Sequence, residues 1–181
     1  LDTNDPIELF KTWMNKAKET EPNDPNALSL ATSDKKGFPS VRMVLLKDFN
    51  QNGFIFYTNL NSQKSLSLKE NPKAEMCFYW KSLLRQVRIN GHISQVSDKD
   101  ADAYYNTRPY GARIGAWASK QSEVLQSKSE LINSVKEYKE KYNDEKNLPR
   151  PDYWSGWNLA PKDIEFWLHA DNRIHERLKY S

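Results

Sequence analysis

The sequence holds one cysteine, Cys77, in 181 residues. A single thiol excludes an intrachain disulfide and any cysteine-built metal cluster. Its neighbours Met76 and Phe78 are apolar, which marks a buried structural thiol compatible with a reducing compartment. Histidine is nearly as scarce. His92, His169 and His175 stand apart, with no HExxH pair and no carboxylate beside two histidines, so no metal site is expected. No GxSxG elbow is present, which weakens hydrolase readings. No GxGxxG or phosphate-loop pattern is present either, which removes the common dinucleotide and nucleoside-triphosphate readings. No apolar run reaches membrane-spanning length and no secretory leader is expected ahead of Leu1, so no membrane partner is expected; the cytoplasm is the expected location, on grounds other than the N-terminal end. The net charge is +3, from 27 Lys and Arg against 24 Asp and Glu, too mild to argue for nucleic acid. Internal repeats and low-complexity stretches are missing.

Aromatic residues are what the chain has in quantity: six Trp, nine Tyr and seven Phe. Flat rings fill a core and also flank a flat ligand. With 38% hydrophobic and 28% charged residues the chain is polar but globular, and its length suits one domain over 1–181 with helical additions.

The spacing predicts an N-terminal helix within 1–20. Asp5 is the N-cap, Pro6 the first helical residue, and Glu8 completes a capping-box pattern. Ile7, Phe10, Trp13, Met14 and Ala17 recur at helical period. Core strands are expected over 27–97: Ala27–Thr32, Val41–Lys47, Phe54–Thr58 returning after the Asn52-Gly53 hairpin signal, Ala74–Trp80, and Arg85–Val96. A short helix over Ser62–Glu70 interrupts them, ended by Asn71-Pro72. A helical segment is expected over 98–145, with one helix from Asp98 to Asn106 and a longer one from Ser122 to Tyr142. Val124, Leu131, Val135, Tyr138 and Tyr142 mark the apolar stripe of the second. Two C-terminal strands, Ile164–His169 and Ile174–Tyr180, complete 160–181. The hairpin connections give a mainly β, antiparallel α+β fold rather than a parallel nucleotide-binding sheet.

Cationic side chains collect at five places. Arg173, His175 and Arg177 alternate, so a strand would project all three from one face. That row suits an anionic ligand, with His175 able to handle protons; a solvated edge strand is the competing reading. Lys64 follows the Tyr57-Thr58-Asn59 strand end in the first turn of a helix, where a cation is mildly unfavourable unless a phosphate joins it. Gln121-Ser122 would start the long helix, as an ordinary cap or a second phosphate-ready terminus. Arg42 and Lys47 differ in parity, so a regular strand sends them to opposite faces unless a bulge re-aims one. Tyr104 and Arg108 share a helical face, where Arg108 suits either a phosphate or the helix dipole.

Jointly these segments resemble the pyridoxamine 5'-phosphate oxidase family over nearly the whole chain. The resemblance rests on Arg42-Met43-Val44-Leu45-Leu46-Lys47, Phe56-Tyr57-Thr58-Asn59, Arg85-Gln86-Val87-Arg88, Thr107-Arg108-Pro109, Ile114-Gly115-Ala116-Trp117, Ser119-Lys120-Gln121-Ser122, Ile164-Glu165-Phe166-Trp167 and Arg173-Ile174-His175-Glu176-Arg177. It implies an FMN-binding split β-barrel, a homodimer with two sites at the interface. Arg42 and Lys64 would hold the FMN phosphate, helped by Gln121 and Ser122. Val44, Leu45, Lys47, Tyr57, Thr58, Gln86, Trp167 and Arg177 complete the implied cofactor set. Lys47, Tyr104 and Arg108 would take the substrate phosphate, and Arg173 and His175, the catalytic candidates, would lie over the substrate ring. Three departures stand out: Gln63 where the family has Arg, Ala112 where it commonly has Ser, and no Arg-Leu-x-Pro tail after Ser181.

The implied reaction is FMN-dependent oxidation of pyridoxamine or pyridoxine 5'-phosphate to pyridoxal 5'-phosphate, with O2 as acceptor and H2O2 as product. The rivals are a same-fold flavin oxidase acting on a phenazine precursor and a non-catalytic carrier of flavin or B6 phosphate. A mildly basic nucleic-acid binder lacks any recognition signature.

Overall fold

The computed structural model describes residues 3–181. The first two residues of the expected 1–20 segment lie outside the described residues. Helix α1 spans Pro6–Thr20, and the Asp5 carboxylate accepts from the Ile7 and Glu8 backbone N–H groups. The capping box is only half formed: the Asp5 N–H donates to Thr3 Oγ1. Ile7, Phe10, Trp13, Met14 and Ala17 are all buried, as the period requires.

The strands are β1 (Ala27–Ser33), β2 (Pro39–Leu45), β3 (Asp48–Asn50), β4 (Gly53–Asn59), β5 (Lys73–Trp80), β6 (Arg85–Gln95), β7 (Trp154–Leu168) and β8 (Glu176–Tyr180). They form one sheet in the order β2-β1-β5-β6-β7-β4-β3, with β8 paired to β7. The β1–β2, β1–β5, β3–β4, β5–β6 and β7–β8 ladders are antiparallel, as the hairpin signals implied. Helix α2 (Gln63–Glu70) follows β4, and α3 (Asp98–Thr107), α4 (Tyr110–Ala118) and α5 (Lys128–Lys141) separate β6 from β7.

The chain forms two compact units. The first comprises the chain to Phe56, Ser67–Ser94 and Asn158–Ser181; the second comprises Tyr57–Leu66 and Gln95–Trp157. In the first unit Phe10 is fully buried and meets Phe49, Phe54 and Phe78 edge-on at 4.9–5.1 Å. Such edge contacts add about 0.5–1.5 kcal/mol each beyond area burial. Leu28, Leu30, Met76, Val87, Ile89 and Phe166 extend this core. Gly91 is a packing requirement on β6: a Cβ there would stand 2.0 Å from the Ala160 carbonyl oxygen of β7. In the second unit Tyr105, Ala116 and Trp154 form the core, with Tyr57 and Tyr104 packed on it.

Four expectations are corrected. The Asn52-Gly53 turn joins the short β3 to β4, while the preceding strand ends at Leu45 and pairs instead with β1. A nine-residue helix, α4, occupies the stretch after Pro109 where no helix was expected. The long helix starts at Lys128 with Ser127 as its cap, not at Ser122, so Val124 lies off it and is exposed. Leu131, Val135, Tyr138 and Tyr142 do form its half-buried stripe. The last strand starts at Glu176, because Asp171–Arg173 forms a tight 3-10 turn with Asn172 and Arg173 at φ 57° and 63°.

Candidate functional site

In the second unit the chain leaves β4 through Tyr57, Thr58 and Asn59 and turns into α2. The turn is closed by Asn59, whose carbonyl oxygen accepts from the Ser62 and Ser65 hydroxyls at 2.7 and 2.9 Å. This fold brings Lys64 back over the strand end. Lys64 is buried, and its Nζ donates to Thr58 Oγ1 and Ser62 Oγ, both at 3.1 Å. The Thr58 hydroxyl donates onward to Gln121 Oε1 at 3.0 Å. Lys64, Thr58 and Gln121 are therefore one connected group. A polar cleft of about 260 Å³ adjoins it, lined by Asn59, Asn61, Ser119, Lys120 and Gln121 with Trp117, Tyr138 and Tyr153 on its aromatic side.

Ser122 is placed differently from expectation. It and Gln121 lie in a turn between α4 and α5, and Ser122 has φ 70°. The helix-terminus argument for this pair fails because the helix begins six residues later. Gln121 reaches the Lys64 group through its side chain instead.

The same unit carries a second cationic feature. Tyr57, Tyr104 and Trp154 are nearly parallel, with Tyr57 to Tyr104 at 4.0 Å and Tyr57 to Trp154 at 5.5 Å between centroids. Arg108, the residue capping α3, lays its guanidinium 4.5 Å over the Trp154 ring. Its Nη1 is buried and has no hydrogen-bond partner among the described residues. Burial pushes the Arg108 pKa down, the direction expected of a desolvated cation. Tyr104 and Arg108 are brought to one aromatic stack, as their helical spacing implied. Trp154 was not foreseen; its signal is the start of a strand directly after a proline-rich loop. Ala112 lies half-buried on α4.

In the first unit Arg42, half-buried on β2, donates through Nη1 to the Leu30 carbonyl oxygen at 3.0 Å and to Thr32 Oγ1 at 2.8 Å. Burial pushes its pKa down. Val44 shares its half-buried face, while Leu45 is on the exposed one. Lys47 is exposed and lies past the end of β2, so strand parity does not govern where it points. Gln86 is half-buried on β6, paired in register with Tyr79.

Arg173, His175 and Arg177 do not form one alternating row. Arg173 is exposed in the 3-10 turn, His175 precedes the strand, and only Arg177 is within β8. His175 packs against Trp167 at 4.8 Å, and its Nδ1 accepts the Ala170 N–H at 3.3 Å. Arg177 pairs in register with Trp167 and donates to Glu165 Oε1 at 2.8 Å. Glu165 also faces Arg88 at 3.8 Å, so one carboxylate serves two arginines, a role the alternation pattern did not reveal.

Residues 14–142 match the family model described as "Pyridoxamine 5'-phosphate oxidase", and residues 154–181 match the "Pyridoxine 5'-phosphate oxidase C-terminal dimerisation region". The chain belongs to the pyridoxamine 5'-phosphate oxidase family. It is 67% identical over 181 residues to the pyridoxine/pyridoxamine 5'-phosphate oxidase of Pelagibacter ubique, covering 100% of this chain and 87% of that protein. It is 54% identical to the enzyme of the same name from Allorhizobium ampelinum, covering 99% and 86%. Among solved structures, PhzG from Burkholderia lata, in complex with tetrahydrophenazine-1-carboxylic acid, superposes with a TM-score of 0.92. It is 30% identical, over 99% of this chain and 87% of that one. A pyridoxamine 5'-phosphate oxidase-related, FMN binding protein from Nostoc punctiforme has a TM-score of 0.72 at 15% identity, which supports the fold: an antiparallel split barrel with flanking helices.

Proposed function

We propose that the chain oxidises pyridoxamine 5'-phosphate or pyridoxine 5'-phosphate to pyridoxal 5'-phosphate with FMN as cofactor. The observation that carries this reading is the 67% identity, over the whole chain, to a protein named for that activity. Bound FMN would supply two-electron redox chemistry between the 4' carbon of the vitamer and O2, with hydrogen peroxide as the reduced product. With the amine substrate, water then converts the imine to aldehyde and ammonia.

The chain's residues fit such ligands. The buried Lys64 ammonium, set among the Thr58 and Ser62 hydroxyls with Gln121 behind them, is a donor cluster suited to a phosphate. In this reading Arg42 shares the cofactor phosphate with Lys64, and Ser122, Tyr57, Gln86, Trp167, Arg177 and the backbone at Val44, Leu45 and Lys47 hold the rest of FMN. Arg108 has a buried guanidinium nitrogen without a protein acceptor. A substrate phosphate supplies that acceptor, with Lys47 and Tyr104 beside it. Pinning the phosphate aligns the vitamer's ring, which converts binding energy into orientation. Arg173 stabilises negative charge as it develops, and His175 contacts the substrate ring. We further propose a homodimer built through 154–181, a single functional domain over 1–181, and a cytoplasmic location; among the described residues no helix is long and apolar enough to cross a membrane.

The test is anaerobic mixing of the FMN-loaded protein with pyridoxamine 5'-phosphate. Bleaching of the flavin absorbance, reversed by air with release of pyridoxal 5'-phosphate, is expected. Unchanged absorbance would leave a carrier. The structural likeness to PhzG favours one other reading, oxidation of a phenazine precursor. Faster bleaching by a dihydrophenazine carboxylate than by the phosphorylated vitamer would establish it.

A further inference from the structure

The segment joining β7 to β8 holds a three-ring cluster within the first unit. Trp167 lies 4.8 Å from His175 and 6.1 Å from His169, and the two histidine rings are 5.1 Å apart. Trp167 and His169 meet edge-on at 62°, and the other two pairs are tilted at 52° and 40°, so none of the rings stacks on another. The cluster depends on a sharp reversal of the chain. Asn172 and Arg173 both take left-handed backbone angles, and the Ile174 N–H returns to the Asp171 carbonyl oxygen at 3.2 Å. A left-handed arginine costs about 1–2 kcal/mol, so the surrounding contacts must hold it. The reversal brings His175 back to Ala170, whose backbone N–H donates to the imidazole Nδ1.

That hydrogen bond has a chemical consequence. A nitrogen that accepts an N–H has its lone pair engaged and carries no proton, so the neutral ring must carry its proton on Nε2. The Ala170 N–H belongs to the backbone and cannot reverse its polarity. We propose that His175 serves the proposed oxidase reaction as a hydrogen-bond donor through Nε2 and not as a proton acceptor, and that His169 is a positioning residue that holds its ring in that state. The inference rests on the reading of His175 as a substrate contact. His169 enters through packing on the His175 ring, so its own titration is not required.

The experiment uses the FMN-loaded protein labelled with 15N-histidine, observed by long-range 1H–15N correlation at about pH 8, above the ordinary imidazole range. The three histidines are assigned from H92Q, H169Q and H175N spectra. His175 is expected to show an unprotonated Nδ1 and a proton-bearing Nε2; a protonated Nδ1, or averaging between tautomers, overturns the assignment. Turnover supplies the functional arm. His175→Gln places an amide N–H near the Nε2 position and is expected to keep turnover within about tenfold of the parent. His175→Asn cannot reach that position and is expected to fall further. A loss of about 100-fold or more in both is what removal of a general base would give, and it would refute the donor role. His169→Ala should bring tautomer averaging and a several-fold lower turnover, with His169→Phe restoring both; an unchanged His169→Ala spectrum and rate would refute the positioning role. The spectrum is read without substrate. A correct tautomer with inactivity towards every phosphorylated vitamer would therefore sink the oxidase reading and leave the ring's hydrogen-bond state standing.

Discussion

Two arginines on adjacent elements, the half-buried Arg108 and the buried Arg113, should respond to the same substitution in opposite ways. Arg108 lies over Trp154 at 4.5 Å and buries an Nη1 that has no hydrogen-bond partner among the described residues. Arg113 is more enclosed; it donates through Nη2 to Glu145 Oε1 at 2.7 Å and through Nη1 to the Glu145 carbonyl oxygen at 3.2 Å, and leaves a buried Nε without a partner among the described residues. Arg108→Met loses a cation–π contact of about 0.5–2 kcal/mol but also removes an unsatisfied buried donor costing about 1–3 kcal/mol. These terms oppose each other, so stability should stay within about 1 kcal/mol, or roughly 2–4 °C in Tm for a chain of this size. Arg113→Met forfeits two charge-assisted hydrogen bonds of about 1.5–3 kcal/mol each, offset only in part by removal of its own buried, unsatisfied Nε at about 1–3 kcal/mol, and should lose about 2 kcal/mol, or roughly 4–8 °C. Activity should run the other way. If a substrate phosphate completes the Arg108 site, losing about 1.5–3 kcal/mol raises KM for pyridoxamine 5'-phosphate roughly 10- to 150-fold, while Arg113→Met leaves the KM of the folded fraction unchanged. Thermal melts and steady-state kinetics at saturating FMN measure both. If Arg108→Met melts as early as Arg113→Met and its KM does not move, Arg108 is a structural residue and the reasoning fails.

Other perturbations test separate links. Asp5→Ala removes the cap of α1 and should cost about 1 kcal/mol in a denaturant titration, with flavin affinity intact. Lys64→Met should weaken FMN binding at least about tenfold in a flavin-fluorescence titration, because a phosphate loses its buried cation; unaltered affinity would place the phosphate elsewhere. Gly156→Ala sets a Cβ 2.7 Å from the Tyr57 ring and should cost about 1–3 kcal/mol while altering the near-ultraviolet circular dichroism of the aromatic stack. Burial pushes Tyr105 up to about 12, and its hydroxyl donates to the Arg113 carbonyl oxygen at 2.9 Å. The unfolded chain loses this proton near pH 10 and the folded one later, so the stabilisation is complete below about pH 10 and declines as pH rises towards 12. The stability gap between the parent and Tyr105→Phe should therefore narrow over that window in pH-dependent urea melts.

Periodicity was a sound guide where one face of an element is dry. The α1 stripe from Ile7 to Ala17 and the buried Val87, Ile89 and Ile93 of β6 each answer to one core, and their spacing shows it. It misled where an element has little to bury. Helix α5 buries no residue fully, so its apolar stripe carries no information about where it starts, and the Ser127 cap decided that. Helix α4 was hidden because it follows a proline and carries Gly111 and Gly115, both poor helix formers, while burying Arg113, Ile114, Ala116 and Ala118. Strand β7 escaped over its first half because Gly156 and Pro161 interrupt the alternation.

The candidate site was legible in residue type more than in geometry, and the reason is electrostatic. A cation without a carboxylate nearby in sequence stands out wherever the backbone places it, so Lys64 and Arg108 could be noticed one at a time. What joins them is set by hydroxyls, carbonyl oxygens and ring faces that carry no charge signature: Thr58 and Ser62 around Lys64, Trp154 beneath Arg108, the Ala170 N–H at His175. The Arg173–His175–Arg177 row shows the limit. Alternation in sequence means one face only while the backbone is extended, and Asn172 and Arg173 leave that region with φ near +60°. The turn separates three residues that a straight strand would have aligned. It leaves Arg177 tied to Glu165 and His175 tied to the backbone, with Arg173 exposed between Asn172 and Ile174. A regular strand would crowd cations on one face, with mutual repulsion and a common orientation. The turn instead separates them, giving His175 and Arg177 different partners and leaving Arg173 exposed, so one substitution in this segment should leave the other two side chains where they are.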